Sequence, residues 1–340
     1  MAESWLLSLD EIGKEHNDLV GKKCANLGEM RKIGLRTPPG FALTVEAYRK
    51  FMNETGAARE LKQYLNTFNA TPEDVGQYEK ANEVMRGMIE SKQMPHDMED
   101  TIASYYDALC RRCGIIDVAV STRSAGVTSH PGQYETYLNV KGKPDLINKI
   151  KKVWSSTFNT RSLIARAREG LALDSDPIGV AVLKMVHART AGVCFTADPN
   201  SGDISKIKIE ANWGLGESVV GGIVAPDSWA LDKETLRVID KTLGQKKTQI
   251  ISQQSGVIEA EVPPDKIYDF CLSDEEAREI GKLAKLLELH FGIPQDLEWA
   301  IDYDLPFPES VFLLQTRPEV LVKKTESATN QIIDAIFKRM

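Results

Sequence analysis

The chain predicts an α+β protein with more than one lobe and a helical amino-terminal region. Three observations lead there. The first third of the 340 residues carries helix signals and little else. Beyond Asp176 short apolar strands dominate, with one long helix among them. The stretch between mixes both textures, without the regular βαβ rhythm of a doubly wound sheet.

The elements follow in order. Lys22 to Ile33 reads as a helix stopped by Gly34, and Thr44 caps another through Phe51. Thr71-Pro72-Glu73 opens a longer one, with proline in the first turn. In Pro95 to Arg112, Met98, Ile102 and Tyr105 recur at helical spacing. At Asp117 the texture changes. Val118, Ala119, Val120 and Thr122 suit a strand, which then breaks into Arg123-Ser124-Ala125-Gly126. Pro144 to Glu169 reads as one helix ending at Gly170. Strands follow in "IGVAVLKMV", "GVCFTA", "KIKIEAN", "SWALDK" and "LRVID". In "LSDEEAREIGKLAKLLELHFG", Ser273 and Glu276 form a capping box, and Ile280, Leu283, Leu287 and Phe291 line one face up to Gly292. Two strands close the pattern, "DLEWAID" and "SVFLLQT". The tail from Lys323 is charged, with one short amphipathic stretch at Ile332, Ile333, Ile336 and Phe337. The divisions drawn are an amino-terminal lobe 1–200, a carboxy-terminal lobe 201–322 and the tail 323–340. No internal repeat or low-complexity segment is visible.

Composition narrows the function classes. Hydrophobic residues make up 42% and charged residues 27%, an ordinary soluble profile. The net charge is -7 with no basic block, which argues against a nucleic-acid partner. No run approaches the roughly twenty apolar residues that span a bilayer, so no membrane partner is expected. The opening residues lack a signal peptide's pattern, and Cys24, Cys110, Cys113, Cys194 and Cys271 are odd in number and scattered. Both features predict a reducing cytoplasm. Cys110 and Cys113 form a CxxC, read as packing because no second pair accompanies it.

Four segments hold residues suited to chemistry. In "GKKCANLGEM" two lysines enter a helix just after Gly21, where backbone N–H groups attract phosphate. Taken alone, the segment fits a solvated surface as well. Arg123 offers paired donors to phosphate oxygens, and Ser124, Thr128 and Ser129 add hydroxyls. A structural ion pair is the other reading of that arginine. The glycines of "ANWGLGESVVGG" allow close backbone approach to a ligand, or simply make a turn. They miss the dinucleotide fingerprint, because the glycine after Gly216 is Gly221. Glu217 in this loop suits a metal or a ribose hydroxyl. Finally, Asp296 and Glu298 alternate on one strand face, as do Gln315 and Arg317 on another, with Trp299 turned the opposite way. Paired, the two strands would assemble hard oxygen ligands and a guanidinium, which suits Mg²⁺ with a polyphosphate. A solvated β face is the alternative.

Together the motifs "GKKCANLGEM", "RSAGVTSHPGQYETYLNV", "GVCFTADPNSG", "WGLGESVVGG", "VAPDSWAL" and "DLEWAID…LLQTRP" resemble one family over about Leu19 to Glu319. It is the nucleotide-binding domain of phosphoenolpyruvate synthase and pyruvate phosphate dikinase, also carried by rifampin phosphotransferase. The resemblance implies an ATP-grasp fold, two lobes enclosing a nucleotide cleft, with ATP and Mg²⁺ bound. It implies phosphate-binding roles for Lys23, Arg123 and Arg317. Glu298 and Gln315 match the family's Mg²⁺ ligands, with Asp296 nearby, and "LKMV" matches the adenine-reading backbone at Met185 and Val186. Leu183 stands where the family often has glutamine, and "RSAGVTSHPG" replaces the "RSSATAED" of many members.

The family carries its phosphorylated histidine on a separate, later domain, so His130 is not expected to be the carrier. His16, His96, His187 and His290 lack the carrier's glycine and threonine surroundings. The resemblance therefore implies one subunit of a split dikinase-type enzyme. ATP would be cleaved to AMP and phosphate, and a histidine on a partner subunit phosphorylated. The tail's apolar residues are candidates for docking that partner. Phenylphosphate synthase, with phenol as acceptor, is the split enzyme of this lineage that fits a chain of this length. A stand-alone small-molecule kinase and a regulatory ATP-binding module are the alternatives.

Overall fold

Two antiparallel sheets organise the chain, and each gathers strands that lie far apart in sequence. The computed structural model describes residues 5–126 and 134–320. The chain divides into two compact units, residues 1–187 with 251–258, and residues 188–250 with 259–340.

The first unit holds strands β1 (Leu6–Ser8), β2 (Gly40–Leu43), β3 (Val120–Ala125), β4 (Thr136–Val140) and β5 (Gly179–Lys184), ordered β1-β2-β5-β3-β4. Its helices are α1 (Asn17–Lys32), α2 (Val45–Glu54), α3 (Ala57–Leu65), α4 (Val75–Glu90), α5 (His96–Cys113), α6 (Lys143–Ser155) and α7 (Thr160–Arg168). One sheet face carries Phe41, Leu43, Val120, Val140, Val180 and Val182, packed with Phe51, Tyr78, Met98, Ile102 and Trp154 into one apolar core. The other face is smaller and more polar. Arg123 stands opposite Ala181 there, Ser121 opposite Leu183, and α1 lies against these strands.

Several sequence expectations need adjusting. On α5 the buried column is Met98, Ile102, Tyr106 and Leu109, so Tyr106 takes the place expected for Tyr105. The Tyr106 hydroxyl donates to the Val118 carbonyl at 2.8 Å and accepts from Gly142 N–H at 3.0 Å, which ties α5 to the approach of β3. The helix expected over 144–169 is two helices. Ser155, Ser156 and Thr157 turn their hydroxyls back onto carbonyls of the preceding turn, and Asn159 then caps a new helix at Ser162. Strands are also present at Leu6–Ser8, Gly40–Leu43, Thr136–Val140, Thr248–Ser252 and Val257–Glu261, and a helix at Ala57–Leu65, none of which the sequence pattern predicts, each being short.

The second unit adds β6 (Ala188–Phe195), β7 (Lys206–Trp213), a one-turn helix α8 (Glu217–Val220), β8 (Asp227–Asp232) and β9 (Val238–Thr242). It continues with α9 (Asp274–Phe291), β12 (Gln295–Asp302) and β13 (Val311–Pro318). Strands β10 (Thr248–Ser252) and β11 (Val257–Glu261) form a separate two-stranded sheet. The main sheet runs β13-β12-β6-β7-β8-β9. Strand β6 thus pairs in this sheet although it precedes the residue-200 division read from the sequence.

One face of the main sheet is closed. Cys194, Ile207, Ile209, Trp229, Leu231, Leu297 and Trp299 are buried there beneath α9. The capping box of α9 forms as expected, with Glu276 N–H on Ser273 Oγ at 3.1 Å and Ser273 N–H on Glu276 Oε2 at 2.8 Å. Its buried stripe is Ala277, Ile280, Gly281, Ala284 and Leu287, with Leu283 and Phe291 only half-buried. A Cβ at Gly281 would lie 2.9 Å from Leu231, so the glycine lets the helix sit low on the sheet. Cys110 and Cys113 are free thiols packed against the first unit's core, as read. Among the described residues no helix is long and apolar enough to cross a membrane.

Candidate nucleotide site

Each unit gathers its own group of the candidate residues. In the first unit the organising residue is Gly21, which interrupts α1 with φ of +79°. A Cβ there would stand 2.3 Å from the Ala125 carbonyl oxygen. Glycine therefore lets the chain cross against the end of β3, and Lys22 N–H then donates to the Gly126 carbonyl at 3.3 Å. The turn carrying Lys23 is fastened to the end of the strand carrying Arg123. Cys24 reports the result. Burial pushes its thiol up to about 12, while the charges of both Lys23 and Arg123 pull the other way. Two cations read from separate segments thus act on one buried atom.

The segment expected to read adenine follows β5. Met185 N–H donates to the Ala119 carbonyl at 2.8 Å, and Val186 is buried. Leu183 is buried opposite Gly40 and Ser121. Thr128, Ser129 and His130 lie outside the described residues, as do Ile332, Ile333, Ile336 and Phe337.

In the second unit the two strands proposed to pair do pair. Asp296 stands opposite Arg317 and Glu298 opposite Gln315. A register shift follows Glu298, so Trp299 meets Leu313 and Leu314 is the extra residue. This bulge has a consequence. Leu313 is buried on the closed face with Trp299, and unbroken alternation would send Gln315 there too. The extra residue turns Gln315 and Arg317 to the open face with Asp296 and Glu298.

Arg317 is not held apart for phosphate in this state. Its Nε donates to Asp296 Oδ2 at 2.6 Å, and a second guanidinium nitrogen lies 2.6 Å from the same oxygen. Burial raises the Asp296 carboxyl above the ordinary range, Arg317 lowers it, and Glu298 raises it further. Two carboxylates therefore repel each other beside an amide oxygen, the donor set that a hard divalent cation neutralises. Among the described residues no group of three or more His, Cys, Asp or Glu side chains could hold a metal unaided.

The glycine loop is partly architectural. Gly214 has φ of +73°, and a Cβ there would meet the Ile250 carbonyl oxygen at 2.3 Å. Leu215 N–H donates to the same oxygen at 2.8 Å. The turn reading therefore holds for Gly214. Beyond it, Asn212 donates to Ser218 Oγ at 2.9 Å, and Gly216 packs on Ala191. This lays α8, with exposed Glu217 in its first turn, over the open face near Ala191.

The chain matches the family described as pyruvate phosphate dikinase, AMP/ATP-binding domain, over residues 17–336. It belongs to that family. The probable phosphoenolpyruvate synthase of Staphylothermus marinus is 36% identical over 93% of this chain, covering 41% of that protein. That of Methanocaldococcus jannaschii is 36% identical over 93% of this chain and 27% of its own length. The phosphoenolpyruvate synthase of Aeropyrum pernix is 36% identical over 96% of this chain and 44% of its own. The chain spans less than half the length of these relatives.

One residue of this dikinase-family domain escaped the sequence reading. Glu319, just past β13, accepts Ala197 N–H on Oε2 at 3.0 Å. Burial first, and Asp296 next among the raising influences, lift its carboxyl to about 7. Nothing in "QTRPE" signals this, because the burial comes from distant strands. A raised pKa means the folded state holds the proton more tightly than the unfolded one. The associated stability is present at low pH and is lost as pH rises through about 7. Glu319→Gln stays neutral throughout. It should therefore gain stability relative to the native chain between pH 5 and pH 8, read as urea midpoints. A pH-independent difference would contradict the assignment.

Proposed function

We propose that the chain is the ATP-binding part of a dikinase-type phosphotransferase with an ATP-grasp fold. The observation that carries this is the β12–β13 register, which sets Glu298 against Gln315 and Asp296 against Arg317 in a chain of the dikinase family. Glu298 and Gln315, with Asp296 beside them, would hold Mg²⁺, which when bound neutralises phosphate charge and aligns the transferring group.

The chain's own residues do the remaining work. Lys23 and Arg123 bind phosphate oxygens, the lysine as a point charge and the arginine as a planar fork. Arg317 trades its carboxylate for a phosphate oxygen, since guanidinium pairs with either in the same geometry. Backbone groups of Met185 and Val186 read the adenine edge, and Glu217 takes a ribose hydroxyl. Leu183 supplies an apolar side chain where glutamine is common in the family.

The reaction proposed cleaves ATP between its α and β phosphates. AMP leaves, and a histidine on a partner subunit takes the pyrophosphoryl group. Water removes phosphate from that group, and the remaining phosphoryl passes to a small-molecule acceptor, phenol in the phenylphosphate synthase reading. The test is incubation of the purified chain with β-labelled ATP, with and without a histidine-bearing partner chain. AMP formed only with the partner, together with labelled histidine, supports the proposal. ADP formed by this chain alone indicates direct kinase action and overturns it. ATP bound but intact under both conditions indicates a regulatory module and also overturns it.

A further inference from the structure

The open face of the second unit's sheet carries two transverse rows of side chains. Arg317, Asp296, Phe195, Lys208 and Ala230 stand opposite one another in turn across β13, β12, β6, β7 and β8. Gln315, Glu298, Val193, Glu210 and Ser228 form the neighbouring row. Directly opposed residues of antiparallel strands share a face. Burial agrees: Lys206, Lys208 and Glu210 are half-open, whereas Ile207 and Ile209 are buried. Lys208 therefore projects from the same face as Asp296 and Glu298, two strands away. At about 4.8 Å per strand, the two backbones are about 10 Å apart. A flexible four-carbon side chain and an extended triphosphate between them cover that span.

The pairing of Lys208 is loose. Its Nζ lies 3.7 Å from Glu210 Oε1, longer than the roughly 2.7–2.9 Å of a tight charged hydrogen bond. By comparison, Lys206 pairs with Asp203 at 3.1 Å, and Lys233 with Glu288 at 2.9 Å. The two rows otherwise carry Asp296, Glu298 and Glu210 against Arg317 alone, and Arg317 is already bonded to Asp296. With the proposed Mg²⁺ held on this face, Asp296, Glu298 and Glu210 are balanced by the metal and Arg317, so the rows offer a polyphosphate no net positive charge until Lys208 turns toward it.

We propose that Lys208 is an additional polyphosphate-binding residue of this unit, exchanging Glu210 for a phosphate oxygen when the nucleotide binds. The inference rests on the ATP-binding function proposed above.

The test is calorimetric titration of the full chain with Mg-ATP and, separately, adenosine. Lys208→Met should weaken Mg-ATP binding about tenfold or more while leaving adenosine affinity and the thermal midpoint near the native values. Glu210→Gln, which releases the lysine, should bind Mg-ATP as tightly as the native chain or more tightly. Native-like Mg-ATP affinity in Lys208→Met overturns the inference and leaves the ATP-binding function standing. So does equal weakening for ATP and adenosine, which would mark a structural role. Failure of the native chain to bind Mg-ATP at all overturns the proposed function and this inference with it.

Discussion

Glu298→Gln is expected to lower ATP-dependent labelling of the partner histidine by at least about 100-fold, with the thermal midpoint nearly unchanged. The substitution keeps size and shape and removes one charge. Glu298 is half-buried on the open face, and its replacement uncovers no core surface. The loss would therefore be assigned to the proposed metal and phosphate binding rather than to folding. A second reading checks the geometry independently. Glu298 is among the influences that raise the Asp296 carboxyl. Without it, the Asp296 pKa should fall, as followed by carboxyl NMR titration. Arg317→Ala should match the loss of labelling while moving Asp296 the other way, because its stabilising cation is gone. Near-native labelling in either variant would remove both residues from the proposed chemistry.

The acidic pair was legible in the sequence for a simple reason. A strand alternates its side chains, so residues two apart share a face whatever the strand packs against. The same rule correctly grouped Gln315 with Arg317. It could not place that group relative to Leu313, because the bulge at Leu314 breaks the alternation and has no marker such as glycine. Lys23 and Arg123 were legible one at a time, but not as neighbours. Their closeness comes from Gly21 resting on the Ala125 carbonyl, a contact between segments far apart in the chain. The helix expected over 144–169 failed on local chemistry. The run Ser155-Ser156-Thr157, with Asn159 two positions beyond it, carries both a stop and a new cap, and apolar periodicity alone passes over it. The α+β class survived these misses because it rests on the long, strongly patterned segments. The strands β1 and β2 are too short to carry a pattern.

The largest loss of stability is expected from Asp227→Ala, about 3–5 kcal/mol in denaturant unfolding. Asp227 lies within "VAPDSWAL", and both it and Lys246 are fully buried. Its Oδ1 accepts from Lys246 Nζ and from Gly244 N–H at 2.8 Å, and its Oδ2 accepts from Cys271 N–H at 2.8 Å. One carboxylate therefore joins β8, the turn after β9 and the approach to α9. Gly244 is part of the arrangement, since a Cβ there would stand 2.3 Å from the Ala225 carbonyl oxygen. Alanine at 227 would leave a buried ammonium without its counter-charge and two backbone donors without an acceptor. Lys246→Met should cost less, because two N–H groups still stabilise the carboxylate's charge. The double variant Asp227→Ala with Lys246→Met should fall between the two. It removes the stranded charge but leaves Gly244 and Cys271 N–H unpaired, each at about 1–3 kcal/mol. Additive losses in that cycle would mean the two charges do not depend on each other, and the pair would then be incidental to how this unit holds its shape.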